Sequence, residues 1–123
     1  MSTIWDKKEL PHHPPLEGDE RVYVAVVGAG ITGLTAARLL VAAGKRVAVL
    51  EQSRIGTGTT GATTAHVTQV PDRRYAELVS KFGRDGVRQV VESTRAAMER
   101  IASFVEEDAI SCDFARKIGR AHV

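Results

Sequence analysis

Three glycines and one glutamate at fixed spacing are the residues of this sequence with the clearest chemical use. Gly28, Gly30 and Gly33 form the pattern G-x-G-x-x-G, and Glu51 follows 18 residues after the last of them. Such glycines allow a tight turn, a close approach of the backbone to a pyrophosphate, and close packing of a helix on a strand. A carboxylate at about this spacing accepts hydrogen bonds from ribose hydroxyls and repels a 2′-phosphate. The four residues therefore predict a dinucleotide site that disfavours NADP.

The segments around these residues have the order that such a site requires. Tyr23–Val27 is short, apolar and rich in β-branched residues, which predicts a parallel strand covered on both faces. A helix is predicted from Ile31 to a terminating Gly44, followed by a second strand, Val47–Leu50, with Glu51 at its carboxyl end. The free N–H groups and the dipole at the helix start suit a phosphate. A glycine-rich turn without a ligand is the alternative interpretation.

A polar segment rich in threonine and glycine follows the second strand. Residues 52–69, QSRIGTGTTGATTAHVTQ, are too polar for a buried strand and predict a loop. Its hydroxyl and N–H groups would reach the phosphates or the ring of a bound cofactor. A surface loop of turn-forming residues is the alternative, but the neighbouring glycine motif favours the functional interpretation. Thr63–Val67 would begin a short helix.

The second half of the chain predicts supporting helices. Pro71 and Asp72 signal a helix start, Gly83 and Gly86 would interrupt that helix, and a longer helix is predicted over about residues 85–107. Apolar residues at helical spacing on the longer helix predict core contacts: Val87, Val90, Val91, Ala97, Met98, Ile101, Phe104 and Val105. Ala109–Phe114 would begin a further strand.

Composition and charge exclude several classes of function. The chain has 123 residues, is 43% hydrophobic and 26% charged, and has a net charge of +2. These values are typical of a globular domain, and the scattered basic residues do not indicate a nucleic-acid partner. No apolar segment is long enough for a transmembrane helix and no signal peptide is visible, so a cytoplasmic location is expected. The single Cys112 excludes an internal disulfide and predicts a small packed residue, and no metal site is predicted.

The two ends of the chain differ from its middle. Residues 1–20 contain several prolines and predict an extended N-terminal arm. Residues 117–123, KIGRAHV, resemble a translated sequencing adapter, so we expect a non-native tail there. Two strands and one crossover helix cannot cover both faces of a doubly wound sheet, so the domain between these ends is expected to be incomplete.

The glycine motif and the threonine-rich segment together resemble the FAD-dependent oxidoreductases of the D-amino acid oxidase and glycine oxidase (DAO) superfamily. The resemblance covers about residues 22–114, in VAVVGAGITGLTAARLLVAAGKRVAVLE and the later GTGTTGATTAH. The Trp5 lead-in and TTGATTAH are most similar to the branch that often carries a C-terminal Rieske domain. The resemblance implies an α/β fold, a Rossmann-like FAD/NAD(P)-binding βαβ unit followed by helices, with residues 21–116 forming the N-terminal part of the FAD-binding domain.

The resemblance also implies which residues bind FAD. The family pattern sets the glycine turn at the pyrophosphate, Glu51 and Gln52 at the ribose, and the threonine-rich segment along the pyrophosphate toward the flavin. His66 would pack near the flavin or be joined to it covalently. The implied cofactor-binding residues are Gly28, Gly30, Ile31, Thr32, Gly33, Glu51, Gln52, Thr59, Thr60, Thr64, Ala65 and His66.

The family chemistry is oxidation of a C–N bond in an amine or amino acid, with hydride transfer to the flavin. A Rieske domain or another electron acceptor would then be a partner. The catalytic residues would lie in downstream segments, and the 123 residues alone are expected to bind FAD weakly or not at all and to be inactive. One alternative is a fragment of an NAD-dependent dehydrogenase, although Tyr75 is followed four residues later by Val79 and not by the lysine of short-chain dehydrogenases. The other is a non-catalytic nucleotide-binding or interaction module.

Overall fold

The fold is described by a computed structural model that covers residues 11–63, 66–71 and 73–116. It has four elements in chain order, namely β1 (Val24–Val27), α1 (Ile31–Ala42), β2 (Val47–Leu50) and α2 (Tyr75–Glu107). The chain divides between residues 65 and 66 into two units, the first with β1, α1 and β2 and the second with α2. The predicted α/β class is therefore observed as a two-stranded sheet and two helices.

The two strands form a parallel pair joined through α1. Val24 lies opposite Val47, and the register continues to Val27 opposite Leu50. The Gly28 N–H donates to the Leu50 carbonyl oxygen at 2.7 Å, which extends the ladder by one bond beyond β1. Because the strands are parallel, their carboxyl ends lie at the same edge of the sheet, where the glycine turn begins.

Helix α1 ends where the sequence predicts it to end. Gly44 has a φ of +74°, a conformation that side chains disfavour. Its N–H donates to the Val41 carbonyl oxygen at 2.9 Å, and the Lys45 N–H donates to that of Leu40 at 3.0 Å. These two bonds form a Schellman motif, which satisfies carbonyl groups that the helix leaves without partners.

Small residues allow α1 to lie close to the sheet. Ala37 is the buried residue of α1, and a Cβ atom on Gly33 would lie 1.9 Å from the Gly28 carbonyl oxygen. The same Cβ atom would lie 3.3 Å from Cγ1 of Val26. The third glycine of the motif therefore has the packing role that the sequence predicts.

The prediction that the first strand is covered on both faces is wrong. Val24 and Val26 are half-buried, but Val27 is 85% exposed, and Tyr23, which precedes the strand, is 81% exposed. A single helix can cover only one face of a two-stranded sheet. Residues at alternate positions of β1 therefore remain exposed, although their apolar side chains suit a covered strand.

Helix α2 covers both of the helices that the sequence predicts. Its backbone is non-helical at Gly83 (φ 69°, ψ 172°), so a kink joins the two parts, whereas Gly86 lies inside the helix and does not interrupt it. Arg74 is the residue that precedes the first turn, and Asp72 lies outside the described residues. The Gly83 part of the prediction is confirmed and the Gly86 part is wrong.

Three further predictions for the second half are corrected. Ala109–Phe114 contains no strand, because the chain turns after α2 with Ala109 at a φ of +48°. Ala97 is exposed, while Val87 and Ala102 are the buried residues of α2. Cys112 is exposed instead of packed, and its thiol is free.

The remaining described segments lack regular structure. Residues 11–20 are exposed and contain no helix or strand. Thr63, His66 and Val67 are not helical, which contradicts the short helix predicted there, and residues 64 and 65 lie outside the described part. Neither described helix is long and apolar enough to cross a membrane, and no cluster of potential metal ligands occurs among the described residues.

Candidate dinucleotide-binding site

The candidate site lies at the edge of the sheet where β1 and β2 end and α1 begins. Gly28 has a φ of +99°, so the chain turns at once from β1 toward α1. Its N–H is bonded to the Leu50 carbonyl oxygen, and this bond places the glycine turn beside Glu51. The motif and the acid, which are distant in sequence, therefore lie together.

The start of α1 offers hydrogen-bond donors to an anion. Gly30 precedes the first turn without a side-chain cap, and that turn contains no acidic residue. The first helical bond is donated by Leu34 to the Gly30 carbonyl oxygen at 3.0 Å. The N–H groups of Thr32 and Gly33 have no acceptor among the described residues. These donors and the positive end of the helix dipole together suit a phosphate.

The carboxylate of Glu51 accepts two backbone hydrogen bonds, one from the glycine turn and one from Ser53. Its Oε2 accepts the Ala29 N–H at 2.8 Å, and its Oε1 accepts the Ser53 N–H at 2.9 Å. The Ala29 N–H, and after it the Ser53 N–H, lower the pKa of the Glu51 carboxyl group below its ordinary value. The group is therefore ionised at neutral pH. Each oxygen has a further lone pair, with which it could accept a hydrogen bond from a ribose hydroxyl.

The threonine-rich segment folds back onto the glycine turn. Oγ1 of Thr60 accepts the Ile31 N–H at 3.1 Å, and the Gly56 N–H donates to the Ala29 carbonyl oxygen at 2.9 Å. Within the segment, the Thr57 hydroxyl donates to the Arg54 carbonyl oxygen at 2.6 Å. The segment is a loop of turns, as predicted, and its polar groups lie at the helix start.

The structure brings most of the predicted cofactor-binding residues together. Those in the first unit are Gly28, Gly30, Ile31, Thr32, Gly33, Glu51, Gln52, Thr59 and Thr60. Gln52 and Thr59 are exposed beside Glu51 and Thr60 in sequence. Thr64 and Ala65 lie outside the described residues, and His66 is exposed in the second unit. The roles assigned to these residues stay predictions.

Ala29 is the central residue of the turn, and sequence reasoning missed it. It is only 1% exposed. Its N–H is bonded to Glu51 and its carbonyl oxygen to the Gly56 N–H. The small size of Ala29 could have indicated this role, because a small residue between two motif glycines is typical of a crowded position. Gly56 and Ser53 were also missed, since their contribution comes from backbone N–H groups that any residue other than proline carries.

A shallow apolar groove runs along α1 beside this site. It has a volume of about 430 Å³ and is lined by Ile31, Thr32, Thr35, Ala36 and Leu39. The lining is almost wholly apolar, so the groove does not fit a phosphate. The polar groups that could hold a nucleotide are those at the helix start.

Comparisons with known proteins agree with the class that this geometry indicates, a protein that binds a dinucleotide cofactor. The sequence profile of the DAO family, described as FAD dependent oxidoreductase, matches residues 23–121. The chain therefore belongs to the DAO family of FAD-dependent oxidoreductases, and FAD is the cofactor of this family. The predicted family and cofactor are confirmed.

Curated relatives are similar over most of this chain. The putative Rieske 2Fe-2S iron-sulfur protein YhfW of Bacillus subtilis is 36% identical over 91% of the chain and 22% of its own length. The probable oxidoreductase OrdL of Haemophilus influenzae is 32% identical over 82% of the chain and 23% of its own length. The gamma-glutamylputrescine oxidoreductase of Escherichia coli is 34% identical over 74% of the chain and 21% of its own length.

The chain thus spans between a fifth and a quarter of the length of these relatives. No solved structure matches it significantly. The expectation that residues 117–123 are non-native is not tested by these comparisons and stays a prediction.

Proposed function

We propose that this chain is the FAD-binding N-terminal portion of an oxidoreductase that oxidises amines or amino acids by hydride transfer to flavin. In this proposal the β1, α1 and β2 unit is the first part of a Rossmann-like fold. The observation that carries it is the position of Glu51, whose carboxylate is bonded to the glycine turn beside the N–H groups of Thr32 and Gly33, which have no acceptor in the described part of the chain. A phosphate donor set and a ribose acceptor therefore lie at one edge of the sheet.

The residues present fit the adenosine diphosphate half of FAD. The N–H groups of Thr32 and Gly33 would bind a phosphate oxygen, and Glu51 would accept hydrogen bonds from the ribose. Gly30 has no side chain that would keep a phosphate away from the helix start. Bound FAD would supply the electron acceptor for oxidation of the C–N bond. This chain's own residues would hold and orient the adenosine end.

The substrate class and electron acceptor are supported by the relatives alone. One relative is named a gamma-glutamylputrescine oxidoreductase, which supports an amine substrate for the full-length protein. Another is named a Rieske iron-sulfur protein, which supports a Rieske domain as an electron acceptor. The catalytic residues would lie outside this chain, and we expect the 123 residues alone to be inactive. The complete reading frame would test both points directly.

Ligand titrations of the isotope-labelled 123-residue chain test the proposed site. We expect ADP to shift the amide resonances of Thr32 and Gly33 with a Kd on the order of 1 mM, because half of the cofactor's contacts are absent. Riboflavin, which lacks both phosphate and adenosine, should leave these resonances unchanged. Adenosine 2′,5′-bisphosphate should bind more weakly than ADP, because its 2′-phosphate would meet the Glu51 carboxylate.

Matched variants make the test specific. Glu51→Gln should weaken ADP binding and reduce the discrimination against the 2′-phosphate. Glu77→Gln is the control, because Glu77 is an exposed acid in the first turn of α2, in the other unit. The proposal fails if millimolar ADP leaves residues 28–33 unshifted, or if riboflavin shifts them equally.

A nicotinamide cofactor is the second candidate, because NAD contains the same adenosine diphosphate group. The Glu51 position would serve NAD as well as FAD. The family match favours FAD. An absorbance band at about 450 nm in the purified full-length protein would identify a flavin, since nicotinamide has no such band.

A further inference from the structure

Three hydrogen bonds join Glu51 and the threonine-rich segment after it to the glycine turn. In the first, Glu51 accepts the Ala29 N–H at 2.8 Å. In the second, the Gly56 N–H donates to the Ala29 carbonyl oxygen at 2.9 Å. In the third, Oγ1 of Thr60 accepts the Ile31 N–H at 3.1 Å. The bonds fall on both sides of Gly30, so the segment follows the turn into the first residue of α1.

The third bond supplies a helix cap that the motif itself cannot provide. A serine, threonine, aspartate or asparagine before the first turn normally caps a helix through its own side chain. Gly30 occupies that position here and makes no side-chain bond. A Cβ atom on Gly30 would lie 3.0 Å from Oγ1 of Thr60, so the hydroxyl occupies the space beside the glycine. The cap therefore comes from a residue 29 positions after the N–H that it accepts.

We propose that Thr60 is a positioning residue, which caps α1 from the threonine-rich segment and holds that segment on the glycine turn before a ligand binds. The cap is present in the chain without a ligand, whereas its contribution to phosphate binding rests on the proposed function. Because its oxygen accepts from Ile31, the hydroxyl hydrogen of Thr60 points away from that N–H and can donate to a phosphate oxygen. The neighbouring N–H groups of Thr32 and Gly33, to which no described residue offers an acceptor, would bind the same ligand.

Amide exchange in the ligand-free 123-residue chain tests the cap without any assumption about function. Thr60→Val keeps the shape of the side chain and removes the acceptor, so exchange of the Ile31 N–H should become about fivefold faster, as expected for loss of a helix cap. Thr60→Ser should restore the slower exchange. Thr68→Val is the matched control, because Thr68 is an exposed threonine of the same segment whose Oγ1 also accepts a backbone N–H, that of Val70 at 3.1 Å, and not one of α1. Unchanged exchange at Ile31 in Thr60→Val would overturn the cap.

Titration with ADP tests the positioning role. Thr60→Val should weaken ADP binding by about fivefold, while Thr60→Ser and Thr68→Val should bind like the original chain. If Thr60→Val accelerates exchange at Ile31 but binds ADP unchanged, the positioning role is wrong. If the original chain does not bind ADP, the proposed function fails, and the exchange rates still decide whether Thr60 caps α1. Helical circular dichroism equal to that of the original chain would show that each variant remains folded.

Discussion

Replacing Gly33 with alanine tests whether close packing of α1 on β1 shapes the candidate site. A Cβ atom at this position would lie 1.9 Å from the Gly28 carbonyl oxygen, whereas real Cβ atoms stay beyond 3.0 Å. The obstacle is backbone, so a side-chain rotation cannot relieve it. The helix start or the glycine turn would have to move by about 1 Å, which is an overpacking change.

The magnitude follows from two opposing effects. In an exposed helix interior, glycine to alanine stabilises by about 1 kcal/mol because the unfolded chain loses conformational freedom. Overpacking costs about 1–3 kcal/mol, and contact with a backbone atom favours the upper value. We therefore expect Gly33→Ala to lower the free energy of unfolding of the first unit by about 2 kcal/mol.

Urea unfolding followed by the amide resonances of the first unit measures this loss. Thr32→Ala is the matched control, since Thr32 is an exposed position in the same turn of α1 and its replacement gains helix propensity without a clash. Gly33→Ala should also shift the resonances of Gly28 and Ala29, because the turn must move. A Gly33→Ala chain as stable as Thr32→Ala, with these resonances unshifted, would refute the packing argument.

Three further predictions concern the ends and charges of the elements. Gly44→Ala should lower the urea midpoint of the first unit by the equivalent of about 1 kcal/mol, since Gly44 has a φ of +74°. The pKa of Glu51 is lowered on folding, so its stabilising effect should be complete above the unfolded pKa of about 4.3 and be lost as the pH falls through the folded value. A pH titration of the Ala29 amide shift should show this step, and Glu51→Gln should remove it. In the second unit, Arg116 donates two hydrogen bonds to the Glu99 carboxylate, at 3.0 and 2.6 Å. Thermal unfolding should show that Glu99→Gln slightly lowers the stability of this unit, and 1 M salt should reduce the difference in stability between the variant and the original chain. If salt leaves that difference unchanged, the exposed ion pair is not its cause.

The local elements of the first unit could be predicted because each depends on a few neighbouring residues. The end of α1 at Gly44 and the bounds of β2 followed from glycine chemistry and β-branched residues. The coverage of β1 could not be predicted from its residues, because Val27 is apolar whether or not a second layer covers it. The exposure of Val27 depends on whether another element packs on its face of the sheet. The sequence of a short apolar strand does not indicate whether such an element is present.

The sequence predicted only those parts of the site that depend on the type of side chain at a position. Glycine spacing and the charge of Glu51 indicated the turn and its acid. The bonds of Ala29 to Glu51 and Gly56 use backbone groups, which have no sequence signature. The same limit explains the error at Gly86, since a glycine interrupts a helix only when its backbone adopts a non-helical conformation, as Gly83 does. The residue type alone does not distinguish Gly86 from Gly83.

The glycine turn is held by polar bonds more than by a hydrophobic core. Ala29 and Ala37 are the buried apolar residues among the described part of the first unit, and both are small. Burial of two alanines contributes little, because the hydrophobic effect scales with the apolar area removed from water. The bonds from Glu51 and Thr60 cross 22 and 29 residues of sequence and fix the turn where such packing is sparse. These bonds occupy the N–H groups of Ala29 and Ile31, whereas those of Thr32 and Gly33 have no acceptor within residues 11–63, 66–71 and 73–116. The groups that shape the turn are therefore separate from the groups that would bind the phosphate.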